Sequence, residues 1–204
     1  MKTEGSWLVD AIDQGVRRVK KIDSGVVDFP HITEKKQWTF TPDGVWTGGF
    51  WAGLLWLAYE YDGDETSLAR AIHFTDRLLP RAEDANNHDL GFMFVPSAVK
   101  GWQLQGNEEY RLAAMRAARA LAGQYNQSAG FIPGWGFFGG EDWSGNVLID
   151  TMMNLPLIVW SVQQGDDPAL LGVVRGHSEK TIQHVMREDG SVYHMFRFSP
   201  KNGE

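Results

Sequence analysis

"FWAGLLWLAYEYDGDETSLARAIHFTDRLL", Phe50 to Leu79, decides the fold. Its first part is apolar on nearly every side of a helical wheel, which describes a helix buried all round. At Gly63 the chemistry changes. Glycine ends a helix with positive φ, Asp64 can cap the next one, and Glu65 lies in the new first turn. The segment that follows carries Leu68, Ala71, Ile72, Thr75, Leu78 and Leu79 in a single stripe, so it is amphipathic. Together these make a helical hairpin with an inner arm, a tight turn and an outer arm.

The pattern returns twice. "VPSAVKGWQL" (residues 95–104) precedes "GNEEYRLAAMRAARALAGQY" (106–125), and "TMMNLPLIVWSVQQ" (151–164) precedes "GDDPALLGVVRGHSEKTIQHVMR" (165–187). The turns "GDET", "GNEE" and "GDDP" share one logic, and Pro168 suits a first helical position. Upstream, Leu8, Ile12, Gly15, Val19 and Ile22 form the stripe of a further outer helix, with Asp13 and Arg17 paired at i, i+4 on its other face. The fold class expected is all-α: an incomplete α/α toroid of about seven helices, outer and inner in alternation, with residues 1–204 as one truncated domain. The tail "REDGSVYHMFRFSPKNGE" (187–204) reads as a turn at Asp189–Gly190 and a strand, where a closed ring calls for another inner helix. The open edge that results is an expected surface for association.

Composition narrows the function. Of 204 residues 43% are hydrophobic and 22% charged, as in a globular protein. There is no cysteine, so disulfides and thiolate metal sites are excluded. No apolar run reaches the ~18–20 residues of a membrane span, and the N-terminus has no secretory h-region, so the expected compartment is the cytoplasm. A net charge of −7 without any Lys/Arg run argues against nucleic acid. Nine Trp are more than a core needs, and Trp also stacks on the flat faces of sugars and bases.

Short inner-to-outer turns share one rim of a toroid, and long outer-to-inner connections share the other. The long ones are Ser24–Thr47, Pro80–Phe94, Asn126–Ile149 and the tail from Glu188. They carry Trp38, Trp46, His88, Asp89, Phe131, Trp135, Trp143 and His194, and loops on a rigid scaffold are where function concentrates. Asp89 is either a turn or cap aspartate or a working acid, and Asp150 is either an N-cap or a working acid. Among Met, Phe and Trp a carboxylate is desolvated and its pKa rises, which lets it keep a proton to donate. Two such acids beside stacking aromatics suggest glycoside chemistry. His73, His177 and His184 read as structural or solvated, and His31 lies in a loop. His88, Asp89 and His194 could be imagined as metal ligands, but no H-E-x-x-H spacing supports it. Phosphate-loop and nucleophile-elbow contexts are also missing.

"WTGGFWAGLLWLAYE" (46–60), "NHDLGF" (87–92), "DTMMNLPLIVW" (150–160) and "REDGSVYH" (187–194), in that order, resemble the unsaturated glucuronyl hydrolases, glycoside hydrolase family 88. The resemblance implies an (α/α)6 barrel of twelve helices, of which this chain looks like roughly the first half to three-fifths. It implies action on oligosaccharides left by polysaccharide lyases, by hydration of the C4=C5 bond of a 4,5-unsaturated uronic acid at the non-reducing end. By resemblance Asp150 matches the general acid/base and Asp89 its partner. Trp46, His88, His194 and Trp135 fall in the substrate-binding set. No metal or organic cofactor is implied.

The chain departs from the family at its end, because it stops before a "WARGQAW"-type motif that serves the uronate. Only His194, Arg197, Arg187 and Lys100 remain to meet an acidic substrate, so the chain alone is expected to be weak or inactive. The alternatives are a catalytically dead carbohydrate-binding toroid, an unsaturated rhamnogalacturonyl hydrolase, and an ordinary glycosidase or epimerase on the same fold.

Overall fold

The computed structural model describes residues 6–134, 144–199 and 201–204. Helix α1 is Ser6–Asp23. A hairpin of β1 (Phe29–Glu34) and antiparallel β2 (Gln37–Thr41) follows, then α2 (Gly48–Asp62) and α3 (Glu65–Leu78). Next come α4 (Leu90–Phe94), a π turn (Val95–Val99) and α5 (Lys100–Gln105), which run on as one rod. Helix α6 is Glu108–Gly123, β3 Asn146–Leu148, α7 Thr151–Gln163, α8 Leu171–His184 and β4 Met195–Arg197. The described residues thus hold seven helical rods, alternately outer and inner, in a partial α/α toroid. None of these helices is long and apolar enough to cross a membrane.

The three turns are built as their residues dictate. Gly63, Gly106 and Gly165 have φ of 70°, 66° and 96°. Asp64 accepts from Ser67 N, Asn107 from Glu109 N and Asp167 from Ala169 N, each satisfying an orphan N–H of the outer helix. Across the hairpins, Trp56 Nε1 donates to Thr75 Oγ1 at 2.9 Å and Tyr110 OH to Asp76 Oδ1 at 2.7 Å. The main core lies between the layers around Leu55, Trp56, Phe74, Leu78, Met93, Phe94, Leu121 and Ile158. Each such side chain contributes about 1.5–3 kcal/mol by burial. A second cluster of Phe131, Val147, Val185 and Phe198 ties the tail to the connection before α7. There β4 pairs antiparallel with β3.

Three expectations change. Helix α2 is not buried all round: Phe50, Leu54, Leu57 and Tyr61 are exposed along one face. The Ser24–Thr47 connection is not all loop but contains the β1–β2 hairpin, in which His31 lies and bonds Thr47 Oγ1 through Nδ1 at 2.9 Å. The connection from Pro80 ends earlier than Phe94, because helix starts at Leu90.

Two glycines bring the inner rods together at the rim. A Cβ on Gly49 of α2 would stand 2.2 Å from Phe92 O, and one on Gly91 of α4 would stand 2.3 Å from Asn154 Cα of α7. At these points backbone packs on backbone. Gly91→Ala is therefore expected to destabilise the fold by about 2 kcal/mol through overpacking, read as a lower midpoint in urea. A wild-type midpoint would show that α4 and α7 are not locked there.

Candidate active site

His88, Asp89 and Asp150 converge at this junction. Asp89 stands directly before α4 and Asp150 directly before α7, both at N-cap positions. Neither side chain makes a cap hydrogen bond, in contrast to Asp64, Asn107 and Asp167. The cap reading left open for these two acids is thereby excluded. His88 Nε2 is 3.4 Å from Asp89 Oδ1 and 3.7 Å from Asp150 Oδ1. One ligand-type atom from each of the three lies within 4.8 Å of the others, a histidine–dicarboxylate set that a divalent cation could also use. His88 Nε2 and Asp150 Oδ1 are buried and lack hydrogen-bond partners. Buried polar atoms are ordinarily paired, so these two mark where a polar ligand would be held.

The two acids differ in surroundings. The Asp89 side chain is 11% exposed, whereas the Asp150 side chain is 36% exposed. Burial pushes the Asp89 carboxyl above the usual carboxylate range. The His88 charge and the Asn154 hydrogen bond pull it down, and the Asp150 charge adds to the rise. The Asp150 side chain is the less buried of the two, although its Oδ1 is itself out of reach of solvent. At the start of α7, Thr151 and Asn154 are fully buried, whereas Met153 is exposed.

Asn154 was missed from the sequence, and of the two readings given for His177, structural or solvated, the fold selects the first. Asn154 Nδ2 donates to Asp89 Oδ1 and to the Asp150 carbonyl, both at 3.3 Å, and its Oδ1 accepts from Phe92 N at 2.7 Å. Its place in "DTMMN", four residues after Asp150 and so on the same helical face, was the available signal. His177 is fully buried rather than solvated, and Ile132 N donates to its Nδ1 at 3.0 Å. Burial first, and the His88 charge second, lower its pKa to about 4.

The other candidates fall around this centre. Trp46 is 40% exposed and its ring lies 6.2 Å from Phe92 and 6.3 Å from Phe50, beside the Asp89 segment. The turn that presents it is strained: Val45, a β-branched residue, has φ of 46°. Arg81 holds it there by donating to the carbonyls of Asp43 and Val45. His194 is exposed, and its carbonyl accepts from Ile149 N at 3.0 Å, one residue from Asp150. Trp135 and Trp143 lie outside the described residues. Lys100 is engaged by Glu60 at 2.8 Å, and Arg187 stacks on Tyr193 at 3.7 Å.

No family model matches the chain. It is 36% identical over 199 residues to an unsaturated glucuronyl hydrolase of Bacillus sp. (strain GL1), covering 95% of this chain and 52% of that protein. It is 36% identical over 204 residues to an unsaturated chondroitin disaccharide hydrolase of Streptococcus pyogenes serotype M1, covering 97% and 50%. Among solved structures, an aspartate-to-asparagine variant of "UGL" with dGlcA-Glc-Rha-Glc superposes with a TM-score of 0.83 at 33% identity, covering 93% of this chain and 51% of that one. The chain spans about half the length of the curated relatives it matches.

Proposed function

We propose that this chain, which belongs to the unsaturated glucuronyl hydrolase family, carries the acid–base centre of a hydrolase that removes a 4,5-unsaturated uronic acid from the non-reducing end of an oligosaccharide. The observation that carries the reading is the meeting of Asp89, Asp150 and His88 from two separate connections, with the buried His88 Nε2 and Asp150 Oδ1 left unpaired. The relative bound to dGlcA-Glc-Rha-Glc and the chondroitin disaccharide hydrolase support the substrate class.

The chemistry asks for a proton and a water. Asp150, the more exposed acid, gives its proton to C4 as the C4=C5 π pair forms the new C–H bond. Positive charge then develops at C5 and the ring oxygen, and the Asp89 carboxylate stabilises it electrostatically. Water adds to C5, and its proton passes to the Asp150 carboxylate, which restores the acid. The product at C5 is a hemiketal, and its opening releases the neighbouring sugar. Trp46, with its exposed face beside Phe92, offers a stacking platform, and His194 offers a polar contact next to Asp150.

The test is turnover of an unsaturated chondroitin disaccharide by the product of the full reading frame, followed as loss of double-bond absorbance. Loss of that absorbance is expected, with no sugar released from the saturated analogue in a reducing-end assay. Calorimetric binding without turnover would instead support a carbohydrate-binding protein. Comparable rates on saturated substrates would support an ordinary glycosidase.

A further inference from the structure

We infer that Asn154 is a positioning residue that caps α4 from the neighbouring helix, releases Asp89 from that task, and holds the Asp89 carboxylate toward Asp150. The inference rests on the reading of Asp89 and Asp150 as a working pair.

The first turn of any helix has N–H groups without partners, and an aspartate at the N-cap normally takes one of them. Asp89 does not. The N–H of Phe92, in the first turn of α4, goes instead to Asn154 Oδ1 at 2.7 Å. A backbone N–H can only donate, so this bond settles which end of the amide is oxygen. The amide NH2 must then face Asp89 Oδ1 and the Asp150 carbonyl, and it reaches both at 3.3 Å. One fully buried side chain therefore joins the starts of both acid-bearing helices and donates to one of the acids. Gly91 makes this possible, since any side chain there would collide with the Asn154 backbone.

Asn is the residue this place requires. Its oxygen serves the helix and its nitrogen serves the carboxylate. Leucine has the shape and neither function. Aspartate has the shape and the acceptor, but it sets a like charge against Asp89 where a donor had been.

Asn154→Asp separates the two duties, because it keeps the acceptor for Phe92 N–H and reverses the group facing Asp89. In the 204-residue chain, the carboxyl 13C resonance of Asp89, assigned by comparison with Asp89→Asn, is expected to titrate at higher pH in Asn154→Asp than in wild type. In the full reading frame, kcat at neutral pH is expected to fall about 100-fold with a smaller change in KM. The acid limb of the rate profile is expected to move to higher pH. A cooperatively folded Asn154→Asp with an unchanged Asp89 titration would overturn the inference. If Asn154→Asp does not melt cooperatively, Asn154→Ser, which shortens the side chain and breaks the reach to Asp89, is read in the same way. The two readings fail separately: a wild-type protein inactive on unsaturated disaccharides would refute the proposed function, while the titration would still decide the role of Asn154.

Discussion

Under the proposed function, Asp150→Asn in the product of the full reading frame is expected to lower kcat on an unsaturated uronyl disaccharide by about 10²–10⁴-fold, the usual contribution of a positioned general acid–base. The substitution keeps the shape of the side chain and removes the proton that C4 needs. It also removes the base that takes the proton from water. It leaves the fold alone. The Asp150 carboxylate does not cap α7, its Oδ1 has no hydrogen-bond partner, and it stands 3.7 Å from His88 Nε2. The melting temperature should therefore stay close to that of wild type, as for substitutions that break no structural contact. Binding should persist, because the substrate-holding residues are untouched. A variant that keeps more than a tenth of the wild-type rate would move the acid role elsewhere, with Asp89 the first candidate.

The second large effect is on stability in acid, and it belongs to His177. Its folded pKa of about 4 lies below the ordinary value of 6.5, because the imidazole is fully buried and His88 is near. The unfolded chain thus binds a proton in a range where the folded chain does not. The stability that follows is fully present above pH 6.5 and is lost as pH falls toward 4, on the order of 3 kcal/mol in all. His177→Asn keeps an acceptor near the Nδ1 position for Ile132 N–H but cannot be protonated. Urea unfolding between pH 7 and pH 4 should show a steep loss for wild type and a flatter one for the variant. The raised carboxyl of Asp89 acts in the opposite direction, with its stability present at low pH and lost as pH rises. It is common to both proteins and cancels in the comparison. Equal slopes for the two would mean that His177 is not the buried neutral base described above.

Periodicity and turn chemistry made most of the architecture legible. The apolar run from Phe50, the glycine–cap turns at Gly63, Gly106 and Gly165, and the stripes of the outer helices are local features. Each is set by residues three or four apart, and local physics rarely needs a distant partner to express them. The rim that carries His88, Asp89 and Asp150 also followed from connection lengths. Residues whose meaning depends on a partner far along the chain were not legible. Leu54 and Leu57 look like core, and only the arrangement of the rods shows that their face of α2 is exposed. His177 reads as structural or solvated in the sequence, and only the fold buries it and brings the Ile132 N–H to its Nδ1.

What the sequence determined by itself is that this chain makes helical hairpins and offers two aspartates on the rim of the long connections, Asp150 at the start of an inner helix. The tertiary structure decided which acid is the more buried, placed Asp89 directly before a helix, and assigned the cap of that helix, α4, to Asn154 rather than to Asp89. The reason is physical. Helix formation and turn geometry are settled within a few residues, whereas desolvation and charge coupling depend on every group within a few ångströms. Here those groups come from positions 65 residues apart, Asp89 and Asn154, and meet through the space that Gly91 leaves open.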